Sequence, residues 1–118
     1  MPQKNDISLQ RLRGKSRVDL LFQEGKTFHT PHLRCCFYPE ENEKIFSCGV
    51  AVPKRNVKKA VHRNRIKRQL RVALKSNEGH FSFGGLGMLF FKGKTEIPTT
   101  KIIEETMGLF QKINETTY

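Results

Sequence analysis

No tryptophan occurs in this chain of 118 residues, tyrosine occurs twice, and Cys35, Cys36 and Cys48 are its three cysteines. An odd number of thiols is no disulfide framework and suits a reducing compartment. Cys35 and Cys36, adjacent in an extended segment, point to opposite faces and cannot readily grip one ion together. A zinc site built from His29, His32 and one cysteine has the His-x-x-His spacing, but small strand residues and solvent-facing imidazoles explain the same pattern more economically. No apolar run approaches the roughly 20 residues that span a bilayer, and the opening MPQKNDISLQ lacks the apolar region of a signal peptide. A cytoplasmic protein without a membrane partner is the expectation. Paired carboxylates, a nucleophile beside a base and a glycine-rich phosphate loop are all missing, which argues against a self-contained catalytic site.

Acidic residues are also absent between Glu43 and Glu78, while the segment from Lys54 to Lys75 holds ten of the 22 Lys and Arg residues. Nearly all of the +11 net charge therefore sits on one stretch. Like charges at this density repel, and a polyanion that releases its counterions on contact relieves the repulsion. An ordinary solvated helix face interleaves Glu with Lys to gain i,i+4 pairs, whereas this one offers its cations no acidic neighbour in sequence. Arginine outnumbers lysine from Arg63 to Arg71, the choice that suits bidentate phosphate recognition. Nucleic-acid binding follows as the leading function class.

At 3.6 residues per turn, Ile66, Leu70, Ala73 and Leu74 fall on one face of this segment. Asn64, Arg65, Lys67, Arg68, Arg71 and Lys75 fall on the other. Arg63 lies at the seam, with its stem toward the core and its guanidinium expected to reach outward. Val57, Val61 and Val72 spoil the sorting by projecting toward the basic side, so either the first turns pack elsewhere or the helix begins later.

The chain is long enough for a single domain, 1–118, whose first fifteen residues read as a flexible lead-in with Arg11, Arg13 and Lys15 near its end. Ser16 is placed to cap a first helix, with Asp19 as its capping-box partner and Gly25 as its stop. Val18, Leu21 and Phe22 give that helix an apolar side. Strands follow around Phe28, from Leu33 to Tyr38, and from Ile45 to Val52, with Cys36 and Tyr38 on one face and Cys35 and Phe37 on the other. After the basic helix, a Gly- and Ser-rich loop from Ser76 to Gly85 leads into a buried strand from Leu86 to Phe91. Thr100 then caps a last helix whose stripe is Ile102, Ile103, Met107, Phe110 and Ile113. The order α-β-β-β-α-β-α makes an α+β, two-layer α/β sandwich.

Arg63, Asn64 and Arg65, followed by Ile66, Lys67, Arg68, Gln69, Leu70 and Arg71, spell RNRIKRQLR. This run resembles the signature of the bacterial ribonuclease P protein subunit. Pro53, Lys54 and Arg55 stand where that family has a short basic turn, and the early RLR, the LLFQEGKTF segment and the terminal helix fall in family order, so the similarity spans roughly Leu9 to Phe110. The resemblance implies a fold like a domain of ribosomal protein S5, with a left-handed crossover around the basic helix. General rules would make that crossover right-handed; the resemblance is the more specific guide.

The same resemblance implies a subunit that binds a large catalytic RNA and helps it remove the 5′ leader of precursor tRNA. The RNA would supply the active site and its magnesium, with no cofactor held by the protein alone and no obligate protein partner. The RNA-binding residues carried over are Lys54, Arg55, Lys58, Lys59, Arg63, Asn64, Arg65, Lys67, Arg68 and Arg71. A leader groove would involve Val18, Phe22, Cys36 and Tyr38. Val18 and Cys36 occupy positions where the family often has aromatic rings, and Tyr38 is expected to supply the missing one. The alternative is a structural RNA-binding protein of ribosomal type, with no reaction depending on it.

Overall fold

The computed structural model describes residues 7–40, 43–78, 81 and 83–117. Five strands and three helices follow one another as β1 (Ser8–Arg11), α1 (Lys15–Glu24), β2 (Lys26–His29), β3 (Leu33–Pro39), β4 (Ile45–Ala51), α2 (Ala60–Ser76), β5 (Gly85–Phe91) and α3 (Thr99–Thr117). They form one sheet in the order β1-β4-β5-β3-β2. β4 pairs in parallel with both β1 and β5, while β3 runs antiparallel to β5 and β2. The parallel neighbours β4 and β5 are joined by α2, the crossover that the sequence order requires.

Three expectations are corrected at the N-terminal end. Residues 8–11, placed in a flexible lead-in, form an edge strand whose Ser8 to Arg11 register against Ile45 to Cys48. Residues 1–6 lie outside the described part of the chain. The first helix begins at Lys15 rather than after a Ser16 cap, and no side chain caps it. Gly14, at φ 95, makes the reversal out of β1 in a conformation that suits glycine. Asp19 pairs with Lys15 at 3.3 Å instead of closing a capping box. The stop at Gly25 is as expected, with its N–H donating to the Leu21 carbonyl.

Alternation along β3 divides the protein into two unequal cores. Leu33, Cys35 and Phe37 face the large one, with Ile66, Leu70, Ala73 and Leu74 of α2 and Ile102, Leu109, Phe110 and Ile113 of α3. Sheet, α2 and α3 make the two-layer sandwich. Cys36 and Tyr38 face the opposite side, where α1 sends Leu21 into a smaller cluster with Leu86. One short helix on the far face leaves much of that face uncovered.

Phe46 is the hub of the large core, edge-on to Phe37, Phe81, Phe83 and Phe110 at centroid distances of 5.9, 5.0, 5.1 and 5.7 Å. Each such pair adds about 0.5–1.5 kcal/mol beyond burial. Phe81 and Phe83 lie in the stretch expected to be plain loop, and they anchor the connection from α2 to β5. Along α3, Met107 is half exposed, against expectation, while Leu109 is buried. The helix also begins at Thr99, and the Pro98 carbonyl, not Thr100, receives its first N–H groups.

A buried carboxylate ties α3 to the sheet. Glu105 accepts from Thr30 Oγ1 at 2.6 Å, from the His32 backbone N–H at 2.9 Å and from His32 Nδ1 at 2.7 Å. Burial works against its charge, but the Thr30 and His32 donors outweigh it and hold the carboxyl below the ordinary glutamate range. The unfolded chain then binds the proton more readily, so this contribution is present above pH ~4.3, the unperturbed glutamate value, and fades as pH falls through the lower folded value. Replacing Glu105 with Ala should cost on the order of 1–3 kcal/mol, the desolvation of donors left without an acceptor. Urea unfolding of Glu105→Gln should also show a flatter stability profile than wild type between roughly pH 3 and 5.

Candidate nucleic-acid interface

The basic helix starts at Ala60, not at Lys54. Residues before it form a turn in which Asn56 and Val57 N–H groups donate to the Pro53 carbonyl. This later start accounts for one of the three valines that break the apolar pattern, Val57, but not for the other two. Val57, outside the helix, turns into the large core, while Val61 and Val72 stay on the exposed side at 59% and 44% exposure. Lys54, Arg55, Lys58 and Lys59 are exposed along the turn and at the helix entry. No side chain caps the helix and no acid occupies its first turn, so the positive helix end and its cations reinforce one another. An anion relieves both.

Asn64, Arg65, Arg68 and Arg71 stand exposed on one side of α2, with Lys67 partly covered. Arg63 does not reach outward. Its Nη1 donates to the Val57 and Lys58 carbonyls at 3.0 and 2.7 Å, so the guanidinium braces the turn before the helix. The face also has an acidic neighbour that the sequence order hides. Glu96, from the segment before α3, accepts from His62 Nδ1 at 2.7 Å and from Arg65 Nη1 at 3.1 Å. The His62 hydrogen bond, and then Arg65, keep the Glu96 carboxyl below its usual range. Arg65 is thus partly neutralised at home.

A family model described as Ribonuclease P matches residues 8–114. The chain belongs to the ribonuclease P protein family. It is 29% identical over 105 residues to the ribonuclease P protein component of Pseudoalteromonas translucida (strain TAC 125), covering 89% of this chain and 74% of that protein. Its fold is similar to that of the RNase P protein of Thermotoga maritima, at TM-score 0.75 and 22% identity over 87% of this chain and 96% of that one. The RNase P protein of Staphylococcus aureus gives 0.72 and 19%, over 88% and 94%. Membership places the chain in tRNA processing, as part of an RNA-cleaving enzyme complex.

The residues expected to line a leader groove in this ribonuclease P family protein are only partly brought together. Phe22 stands on α1 at 51% exposure, with Val18 one turn earlier and half-buried. Cys36 is buried beneath α1, its Sγ against the Leu21 carbonyl at 3.6 Å, so it offers no open surface. Tyr38 packs with the Leu21 and Leu86 cluster, and it pairs with Leu86 two alternate residues along the sheet from Phe90. The ring beside Phe22 is instead Phe90, with centroids 6.1 Å apart. Arg34, opposite Phe90 in register, lays its guanidinium 4.0 Å from that ring.

Neither Phe90 nor Arg34 stood out in the sequence. Alternation along β5 put Phe90 on the far face, but only strand pairing set Arg34 and Ala51 beside it. Since Ala51 ends β4 immediately before the Pro53–Arg55 turn, the aromatic patch and the basic turn adjoin. This continuity of stacking surface and cations is the arrangement that single-stranded nucleic acid requires.

Other candidate chemistry is engaged elsewhere. Burial pushes the Cys35 thiol up to about 12 and the Cys48 thiol well above its usual value, leaving both protonated and unreactive near neutrality. The imidazoles of His29 and His32 have different neighbours, Lys92 and Glu105. Among the described residues no group of three or more His, Cys, Asp and Glu side chains gathers, and no helix is long and apolar enough to cross a membrane.

The two roles of arginine on α2 separate experimentally. Arg63→Ala should lower stability by about 1–3 kcal/mol, because two backbone carbonyls lose a charged donor. Arg68→Ala, on the exposed face, should stay within about 0.5 kcal/mol of wild type. Thermal unfolding of the two variants checks the distinction.

Proposed function

We propose that this chain is the protein subunit of ribonuclease P: it binds the catalytic RNA and the 5′ leader of precursor tRNA, while the RNA performs the cleavage. The observation that carries the reading is the exposed row Asn64, Arg68 and Arg71 on α2, continued by Lys54, Arg55, Lys58 and Lys59. Guanidinium forks span neighbouring phosphate oxygens, and Asn64 offers both a donor and an acceptor to ribose or base edges. Magnesium would act through the RNA. The chain's own thiols are protonated, and Glu96 and Glu105 are committed to hydrogen bonds within the fold, which supports a binding role over a hydrolytic one.

In this reading the leader lies over the far face of the sheet. Phe22 and the side of Phe90 that Arg34 leaves open stack on unpaired bases, while the Arg34 guanidinium over the other side holds the Phe90 ring in place. From there the strand passes the basic turn at Lys54 and Arg55 toward α2. Phe90, not Tyr38, then takes the place of the aromatic side chains replaced by Val18 and Cys36.

Addition of the protein to catalytic RNA at low magnesium should restore precursor cleavage, whereas a purely structural RNA-binding protein would bind without restoring it. Affinity for the RNA should fall steeply with salt. Arg68→Ala and Arg71→Ala should each flatten the dependence by about 0.7–0.9 counterions, and Arg65→Ala by less because Glu96 already shares its charge. Cleavage by the protein without RNA, or binding indifferent to salt, would refute the proposal.

Phe90→Ala should weaken affinity for leader-bearing precursor tRNA by roughly 5- to 100-fold, the equivalent of one stacked base, with a much smaller effect on mature tRNA. Tyr38→Ala should discriminate little between them. Parallel binding titrations of both RNAs with the holoenzyme measure the contrast.

A further inference from the structure

β1 ends opposite Cys48, although β4 continues to Ala51 and remains paired with β5 on its other side. The last residues of β4 therefore have no strand neighbour on the β1 side. α2 passes the gap, and the result is a cleft of about 350 Å³ between the end of β1, the bare edge of β4 and the C-terminal half of α2. Its walls include Leu12, Val50, Leu74 and Met88, and Arg11, Arg71 and Lys75 also line it. The volume is at the lower end of the range that holds small ligands.

We propose that this cleft seats one unstacked nucleotide of RNA, its base between the apolar walls and its phosphate at Arg11 and Arg71. The inference rests on the reading of the chain as an RNA-binding subunit, but it adds a pocket separate from the aromatic patch at Phe22 and Phe90. A purely apolar ligand leaves the two guanidinium groups idle, and a bare anion leaves the apolar walls wet. A nucleotide satisfies both. The Met88 thioether is a soft partner for an aromatic ring, and the unpaired backbone edge of β4 offers peptide groups to the base edge.

Charge locates the phosphate within the cleft. Lys75 is already paired with Glu78 at 3.5 Å, and Glu78 also accepts from the Leu9 N–H at 3.3 Å, so that end carries a carboxylate that repels phosphate. Arg11 and Arg71 have no acidic partner among the described residues. The phosphate belongs at their end.

Gly49 keeps the space open. A Cβ there would lie 3.1 Å from the Met88 thioether and 3.7 Å from Leu12, close to two walls of the cleft. Gly49→Val thus narrows the pocket without altering charge, and the flexible end of Met88 can shift to accommodate it. With the fold verified by circular dichroism and thermal unfolding, Gly49→Val should lower RNA affinity on the order of tenfold while leaving the salt slope unchanged. Loss measured with the catalytic RNA alone assigns the nucleotide to that RNA; loss seen only for precursor binding to the holoenzyme assigns it to the leader. Wild-type affinity in both arms overturns the pocket.

The wider reading fails separately, because it requires Arg68→Ala, a residue outside the cleft, to flatten the salt dependence whatever Gly49→Val does. A second measurement covers the case in which the valine variant does not fold. Amide shifts of Gly49, Val50 and Arg71 in the full wild-type chain should saturate with adenosine or uridine 5′-monophosphate and stay small with inorganic phosphate. Equal shifts with phosphate alone, or none with either nucleotide, overturn the proposal.

Discussion

The apolar stripe of Ile66, Leu70, Ala73 and Leu74 fixes the rotation of α2 against the sheet, and the direction of every cation on that helix follows from it. Burying each of the larger side chains contributes about 1.5–3 kcal/mol, enough to hold the helix against the repulsion of its own charges. Rotation by a third of a turn would submerge Arg68 and Arg71. The aromatic hub at Phe46 provides the floor beneath this seat, with Phe81 and Phe83 closing the connection from α2 back into the sheet.

Not all of the positive charge is free for a partner. Arg63 is spent on the turn before the helix, Arg65 shares Glu96 with His62, and Lys75 pairs with Glu78. The fold thereby separates cations that shape the surface from those that remain open to phosphate. Asn64, Arg68 and Arg71 belong to the second group, beside the exposed lysines of the preceding turn.

The far face of the sheet carries the aromatic patch on which the proposed leader contact rests. Because α1 is short, the cluster around Leu21 is incompletely covered, and Phe90 at its margin stays half-buried beside the exposed Phe22. Parallel pairing of β4 with β5 aligns Phe90 with Ala51, so the stacking surface lies next to the basic turn. The position of the platform is therefore a consequence of strand register, as is the cleft left where β1 stops short of the end of β4.

The sequence by itself determined the family, through the Arg63-Asn64-Arg65 run in its setting, and the α+β class, the buried stripe of α2 and the alternation of Cys35 and Phe37 against Cys36 and Tyr38. Those features are local: periods of 3.6 and 2 residues and the clustering of one charge are legible without knowing what packs on what. The tertiary structure alone decided that residues 8–11 join the sheet, that Arg63 turns inward, that Glu96 reaches Arg65 across 31 positions, and that Phe90 rather than Tyr38 meets Phe22. Each depends on a pairing between distant segments, and a side chain's partner across a sheet or between helices is set by register and packing rather than by its neighbours in the chain.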